Sequence, residues 1–314
     1  MASKLPETPR ISPNPEDWPT GLAERVEPLV QRVLAPNPSP YTLTGTETYV
    51  VGAGADVAVI DPGPAGTGEA GHADTNGAGH VDAILVAIGD ARLAAIMCTH
   101  THRDHSPASR ELKARTGAPI VGCAPLSMAD DGPRADSAFD PDYVPDRVLL
   151  DGERISGDGW TIEAVATPGH TSNHLCYALL ESGALFTGDH VMGWSTSVVS
   201  PPDGDMADYM ASLSRLYDRE DRIYYPAHGD PVEKPRQLVR GMLGHRRQRE
   251  RQILRVLEEG GNHAIPEFVA KMYKGLDERL HGAAGRSVLA HLIDLERQGR
   301  VAQANDGWVV IRAD

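Results

Sequence analysis

Aromatic side chains are scarce, at 5% of 314 residues with only three phenylalanines. Cysteine is rarer still, at three (Cys98, Cys123 and Cys176). Three thiols cannot build a disulfide framework, which points to a reducing, cytoplasmic setting. No apolar run approaches the roughly 20 residues that a membrane-spanning helix needs, so no membrane partner is expected. The opening stretch, MASKLPETPRISPNPEDWPTG, lacks the apolar segment of a secretory signal. Cations are also in deficit: 30 Lys/Arg face 44 Asp/Glu, for a net charge of −14. That balance argues against a general nucleic-acid binder, whose affinity rests on neutralising phosphates with cations.

What is present describes a globular chain. Hydrophobic residues make up 40% and charged residues 24%. The acidity is uneven. Residues 1–246 hold 19 Lys/Arg against 34 Asp/Glu, whereas residues 247–314 hold 11 against 10. This shift suggests two units, an acidic body and a near-neutral appendix.

Along the chain, residues 1–20 are proline-rich and expected to run extended over the surface. Leu22, Val26, Leu29, Val30 and Val33 recur at helical spacing, which predicts a short amphipathic helix over 21–34. A turn cluster running into a β-branched strand is expected over 37–52 and a second strand at 57–60, then a mobile Gly/Ala-rich loop over 62–80, a helix from Val81 and, further on, a long acidic, proline-punctuated loop over 125–147. Further strands are expected at 95–98, 119–122, 148–150, 160–166, 174–180, 184–187 and 223–225, with helices at 107–116 and 205–218. From residue 230 to 298 the pattern is helical. Mixed strands and helices followed by helices alone describe an α+β catalytic body with a small helical appendix.

The sharpest feature is His100-x-His102-x-Asp104-His105, four metal-ligand types directly after an apolar strand. In an extended or turning segment His100 and His102 point to one side, and Asp104 and His105 fall at the turn into the next helix. Such a loop can serve two metals about 3.5–4 Å apart. Without a metal, burying three imidazoles and a carboxylate together would carry a large desolvation cost. His170, Asp189 and His228 share one context, each following an apolar run and sitting beside a glycine. His174 and His190 lie beside these motifs as candidate supporting partners. His72, His80, His245, His263, His281 and His291 read as ordinary histidines.

HTHRDH, TPGHTSNH, FTGDH and PAHG, in this order, resemble the metallo-β-lactamase superfamily of hydrolases over roughly residues 40–230. The resemblance implies an αββα sandwich with a binuclear metal site at one edge. It implies that His100, His102 and His170 hold one metal, that Asp104, His105 and His228 hold the other, and that Asp189 bridges both. Asp61 matches the aspartate that commonly supports such a site from behind, with His174 a further support. Asp104 and Asp189 are then the catalytic carboxylates. Two Zn²⁺ ions per chain are expected, with Mn²⁺ or Fe²⁺ as substitutes. Coordination lowers the pKa of water toward roughly 7, giving hydroxide that attacks a carbonyl or phosphorus. Subclasses of lactamase with a cysteine ligand fit poorly, because Asp189 stands at that position.

Two outer regions narrow the resemblance to the β-lactamase-like protein 2 group. NPSPYTLTGTETYVVG (37–52) resembles the group's N-terminal strand motif, and residues 246–301 resemble its C-terminal winged helix. Glu47 departs from the asparagine usual there, and residues 64–80 look inserted. Expected units are therefore 1–36 (extension and helix), 37–240 (catalytic domain) and 241–314 (winged helix). In the appendix, Ile253, Leu254, Val256 and Leu257 form one helical stripe. Phe268, Val269 and Met272 lie on a helix opened by Pro266, and Val288, Leu289, Leu292, Ile293 and Leu295 mark a third. Residues 301–311 suggest a closing hairpin around Asn305-Asp306-Gly307. Arg246, Arg247, Arg249 and Arg251 form a dense basic run, expected to pair with Glu250 and neighbouring acids. The appendix is expected to cap the site or mediate assembly, and its apolar stripes are compatible with a homodimer. The expected substrate is a small ester, thioester, lactone or amide. Single-stranded RNA, cut by an endoribonuclease activity, is the alternative partner, and an interaction protein with secondary hydrolysis is a third reading.

Overall fold

The computed structural model describes residues 19–65, 77–126 and 139–311. The proline-rich start, most of the Gly/Ala-rich stretch and part of the 125–147 loop lie outside the described residues. One sheet holds β1 (Ala23–Glu27), β2 (Val30–Leu34), β3 (Glu47–Val51), β4 (Asp56–Ile60), β5 (Arg92–Cys98), β6 (Ile120–Gly122) and β7 (Arg147–Val148), in that spatial order. The second holds β8 (Arg154–Gly157), β9 (Trp160–Ala166), β10 (Leu175–Leu179), β11 (Ala184–Gly188) and β12 (Ile223–Pro226), in the order β12-β11-β10-β9-β8. Helices α1 (Gly77–Ile88) and α2 (Ala108–Thr116) belong to the first sheet, and α3 (Met206–Asp218) and α4 (Pro235–Glu258) to the second.

Strand β10 shows why the layers form. Leu175, Tyr177 and Leu179 point into the core between the sheets, among Ile60, Ile96 and Phe186. Cys176 and Ala178, on the other face, pack under α3 and α4 with Tyr209, Leu213 and Val239. Both faces are apolar, so the strand is buried on both sides and the αββα order follows. The three cysteines are buried free thiols.

Residues 21–34 are a β-hairpin, not the expected helix. Ala23 pairs with Val33 and Glu27 with Val30 across a turn at Pro28-Leu29. Proline in mid-helix would remove a hydrogen bond and clash with the preceding turn, whereas a hairpin turn tolerates it. The hairpin extends the first sheet through β2–β3 pairing, so this stretch is part of the sandwich, not a separate extension.

The appendix follows α4 with α5 (Ile265–Met272), α6 (His281–Arg297) and the hairpin β13 (Val301–Ala304)–β14 (Gly307–Val310). Ile253, Leu257, Phe268, Val288, Leu292, Leu295, Val301 and Trp308 form its core, the winged-helix arrangement. Asn305 takes the left-handed conformation (φ 51°) that the hairpin turn requires. Among the described residues, no helix is long and apolar enough to cross a membrane.

Gly169 closes the contact between the β9 end and α3. Its φ is +134°, and a Cβ there would fall on the backbone of Tyr209. Gly169→Ala is therefore expected to destabilise the fold by about 2 kcal/mol or more. Urea unfolding should show a lower midpoint with an unchanged slope.

Candidate metal centre

Strands β4, β5, β9, β11 and β12 all deliver their carboxyl ends to one edge of the sandwich, where Asp61, the 99–105 segment, His170, Asp189 and His228 follow them. After β5 the chain turns sharply, with the His105 and Ser106 amides donating to the His102 carbonyl (3.0 and 3.2 Å). This brings His100, His102, Asp104 and His105 onto one concave surface. Gly188 permits the approach from the second sheet: a Cβ there would lie 2.6 Å from Thr99 Oγ1 and 2.7 Å from His174 Nε2.

The seven predicted side chains form two groups that share Asp189. His100, His102, His170 and Asp189 make one, and Asp104, His105, His228 and Asp189 the other, each with its ligand atoms within 4.8 Å of one another. Asp189 reaches the first group with Oδ2, 3.7 Å from His170 Nε2. It reaches the second with Oδ1, 3.2 Å from His228 Nε2 and 3.6 Å from His105 Nε2. Asp104 Oδ2 lies 3.2 Å from His228 Nε2 and 3.4 Å from His105 Nε2.

Hydrogen bonds made outside the cluster fix which ring nitrogens face inward. His170 Nδ1 donates to the Val198 carbonyl (2.6 Å) and His228 Nδ1 to the Gly45 carbonyl (3.0 Å). A carbonyl only accepts, so Nδ1 carries a proton and Nε2 is the nitrogen turned toward the cluster. Asp61, held at φ +49°, accepts from the Thr99 amide (2.7 Å), the Thr99 hydroxyl (2.8 Å) and His105 Nδ1 (3.0 Å). With its proton committed to Asp61, the Thr99 hydroxyl accepts from His100 Nδ1 (3.0 Å). His100 Nε2 then lies 2.9 Å from His102 Nδ1, which lies 3.2 Å from His170 Nε2. Lone pairs that converge this closely need a cation or a proton among them. In the second group Asp104 Oδ1, Asp189 Oδ1 and His105 Nε2 are buried without a hydrogen bond. These atoms have the chemistry of a coordination sphere, and the His/Asp donor set suits a divalent metal.

The electrostatics agree. Burial alone would lower the His228 pKa, but Asp189 and Asp104 beside it raise it to about 10. His105 is likewise raised well above the ordinary value against the pull of burial, by Asp104 and Asp189. Burial pushes both carboxyls up, yet neighbouring His105 and His228 hold them well below the usual range. His100 is driven well below its usual value by burial and by the surrounding imidazoles.

His174 lies at the cluster, its ring 5.1 Å from His100, but its Nδ1 pairs with Thr167 Oγ1 (2.9 Å) and it bonds no ligating side chain. His190 is buried against Tyr209, at 4.7 Å between rings. Sequence reasoning missed Thr99, whose hydroxyl links Asp61 to His100; its place between the strand and HTHRDH was the available signal. Glu47 is buried 3.6 Å from Arg32. Burial raises its pKa to about 7 despite that guanidinium.

Fold and site together define a class: an αββα sandwich with a histidine–carboxylate centre at one sheet edge and a winged helix attached. The metallo-beta-lactamase superfamily profile matches residues 41–228, and the beta-lactamase associated winged helix domain matches 264–308. The chain belongs to the metallo-beta-lactamase superfamily and is a hydrolase of that superfamily. It is 34% identical over 233 residues to an atrochrysone carboxyl ACP thioesterase of Aspergillus fumigatus, covering 74% of this chain and 66% of that protein. It is 30% identical over 294 residues to the beta-lactamase-like protein 2 homolog of Drosophila melanogaster, covering 88% and 91%. A beta-lactamase domain protein from Burkholderia ambifaria shares the fold at a TM-score of 0.76 and 20% identity, over 97% of both chains. A metallo-beta-lactamase family protein from Thermus thermophilus does so at 0.71 and 20%, over 91% and 99%.

Metal binding requires His228 and His105 to give up the protons that the carboxylates hold on them. Metal uptake is therefore expected to release protons, and affinity should rise with pH up to about 10, the His228 value. Calorimetric titration with Zn²⁺ in buffers of different ionisation enthalpy checks this. Uptake without proton release at pH 7 would contradict it.

Proposed function

We propose that the chain is a binuclear metal-dependent hydrolase, with zinc as the expected metal, acting on acyl thioesters. One observation carries the reading: Asp189 offers one oxygen to each of two ligand groups. The substrate class draws support from the relative named as an acyl-carrier-protein thioesterase. Esters, lactones and amides present the same reacting carbonyl and belong to the same reading.

When bound, two divalent ions supply Lewis-acid polarisation of the carbonyl and water acidic enough to react near neutral pH. The chain does the rest. Asp61 and the Gly45 and Val198 carbonyls hold the imidazoles in one tautomer, so the donor set needs no rearrangement. Asp189 fixes the spacing of the two groups. Asp104 directs Oδ2 toward His105 and His228. No serine or cysteine nucleophile is required. Ser106 spends its hydroxyl on Asp140 Oδ2 (3.1 Å).

The nucleic-acid reading finds little support in the winged helix. Arg286 on α6 donates to the Ser200 hydroxyl and the Pro201 carbonyl, and Arg297 pairs with Asp205 at the start of α3. Arg300 pairs with Glu250. The cations that a recognition helix would present to phosphate are committed to the protein, and two of them bind the appendix to the catalytic body.

The test is a hydrolysis panel on zinc-loaded protein: acyl-pantetheine thioesters, simple esters, a lactone and labelled single-stranded RNA. Thioesters should turn over fastest. RNA cleavage that outpaces thioester turnover and is lost in His102→Ala would overturn the reading. Asp189→Ala is expected to lose at least one bound metal per chain and about 100-fold or more in kcat/KM. Unchanged stoichiometry and turnover would refute the bridging role.

A further inference from the structure

A cavity of about 370 Å³ lies in the seam between the catalytic body and the winged helix. That is within the range of small-molecule pockets, about 300–1,000 Å³. Its walls are mainly apolar, with Met192, Trp194, Met242 and Tyr273 among them, and its polar floor is basic, with Arg246 and Arg249.

The two arginines are unusual for this acidic chain. Arg246 is 3% exposed. Its Nη2 donates to the Ser197 carbonyl, its guanidinium lies over Tyr209 at 5.0 Å, and its Nε is buried without a hydrogen bond. Arg249 lies over Tyr273 at 4.1 Å, and its Nη1 donates to Gln252 (2.9 Å) and to the Met272 carbonyl (3.1 Å). Its Nε is also buried and unbonded. Neither guanidinium pairs with a carboxylate among the described residues, although Glu250 is adjacent in sequence; Glu250 faces Arg300 instead. Neighbouring His245 and His291 register the same field. Burial first, then Arg246, lower His245 to about 4 and His291 to about 3. Aromatic faces offset part of the cost of burying these cations, but no carboxylate among the described residues does.

The cavity and the metal centre share two loops. Pro40 and Tyr41 line the cavity, and a few residues on, the Gly45 carbonyl fixes His228. Residues 192–198 line it as well, and the Val198 carbonyl fixes His170. The Gly193 amide of the same loop donates to the His228 carbonyl (3.1 Å). An occupant of the cavity would therefore rest on the backbone that orients two metal-cluster histidines.

We propose that this seam cavity binds the acyl group of the substrate and that Arg246 and Arg249 hold a carboxylate carried by that group. The inference rests on the thioesterase reading for the identity of the reacting bond; the binding site itself stands on the cavity and its unpaired cations. It makes the winged helix one wall of the substrate site and predicts selection for carboxylated acyl groups over neutral ones.

The test uses full-length protein. Metal-free protein is titrated calorimetrically with adipamate (one carboxylate), adipamide (its neutral counterpart) and inorganic phosphate. Adipamate should bind at least about tenfold more tightly than adipamide, and Arg249→Gln should remove that difference. Arg249→Lys should keep part of it. Ala283→Leu, which fills the cavity without touching a charge, should weaken adipamate. On zinc-loaded protein, the ratio of kcat/KM for adipoyl-pantetheine over hexanoyl-pantetheine should fall about tenfold in Arg249→Gln, mainly through KM. Equal binding of adipamate and adipamide, or adipamate binding indifferent to both Arg249→Gln and Ala283→Leu, overturns the proposal. So does displacement of adipamate by phosphate at lower concentration, which would assign the cations to a phosphate. If adipamate binds as expected but no thioester is hydrolysed, the thioesterase reading fails and the anion site stands. If hexanoyl-pantetheine is hydrolysed and adipamate does not bind, the reverse holds.

Discussion

Five imidazoles and two carboxylates are buried together at one edge of the sandwich, and that concentration can exist only with positive charge inside it. Protons on His105 and His228 meet part of the demand when no metal is bound, and divalent metals meet it better. Every neighbouring feature serves this constraint. Asp61 takes a left-handed backbone angle to hold Thr99 and His105, and Gly188 lets the second sheet come close enough to deliver Asp189. The Gly45 and Val198 carbonyls turn His228 and His170 so that lone pairs face inward. The sandwich is the means by which five strand ends reach a single point.

The parts of this arrangement legible in the sequence are those written locally. The HTHRDH segment shows its chemistry because four ligand types are contiguous after an apolar strand. His170, Asp189 and His228 can be found because each follows an apolar run and adjoins a glycine, although only the fold shows that they meet. Thr99 is harder to find, since threonine carries no ligand signature and its role depends on Asp61, 38 residues away. The hairpin at 23–34 reads as a helix because Leu22, Val26, Leu29, Val30 and Val33 satisfy helical spacing. Pro28 in the middle, and the valines around it, are the opposing signals.

Long-range charge partners are the least legible. The run Arg246–Arg251 suggests surface pairing with Glu250, yet Glu250 faces Arg300 and Arg246 is buried beneath the winged helix. Helix α4 makes this placement: its early residues pack on the second sheet, with Val239 and Met242, and its later ones enter the appendix core, with Ile253 and Leu257. Arg246 sits at the crossover, where it donates to the Ser197 carbonyl and lies over Tyr209. The net charge of −14 is thus a poor guide to local chemistry. The acidic body encloses a cation-demanding edge, and the near-neutral appendix buries unpaired arginines against it.

The two ligand groups share Asp189, and a cation in each would make it a bridge. Anomalous X-ray scattering from crystals of zinc-loaded protein locates the ions. Two peaks are expected, one beside His100, His102 and His170 and the other beside Asp104, His105 and His228, each about 2.0–2.2 Å from an Asp189 oxygen. A single peak, or peaks away from Asp189, would contradict the bridge.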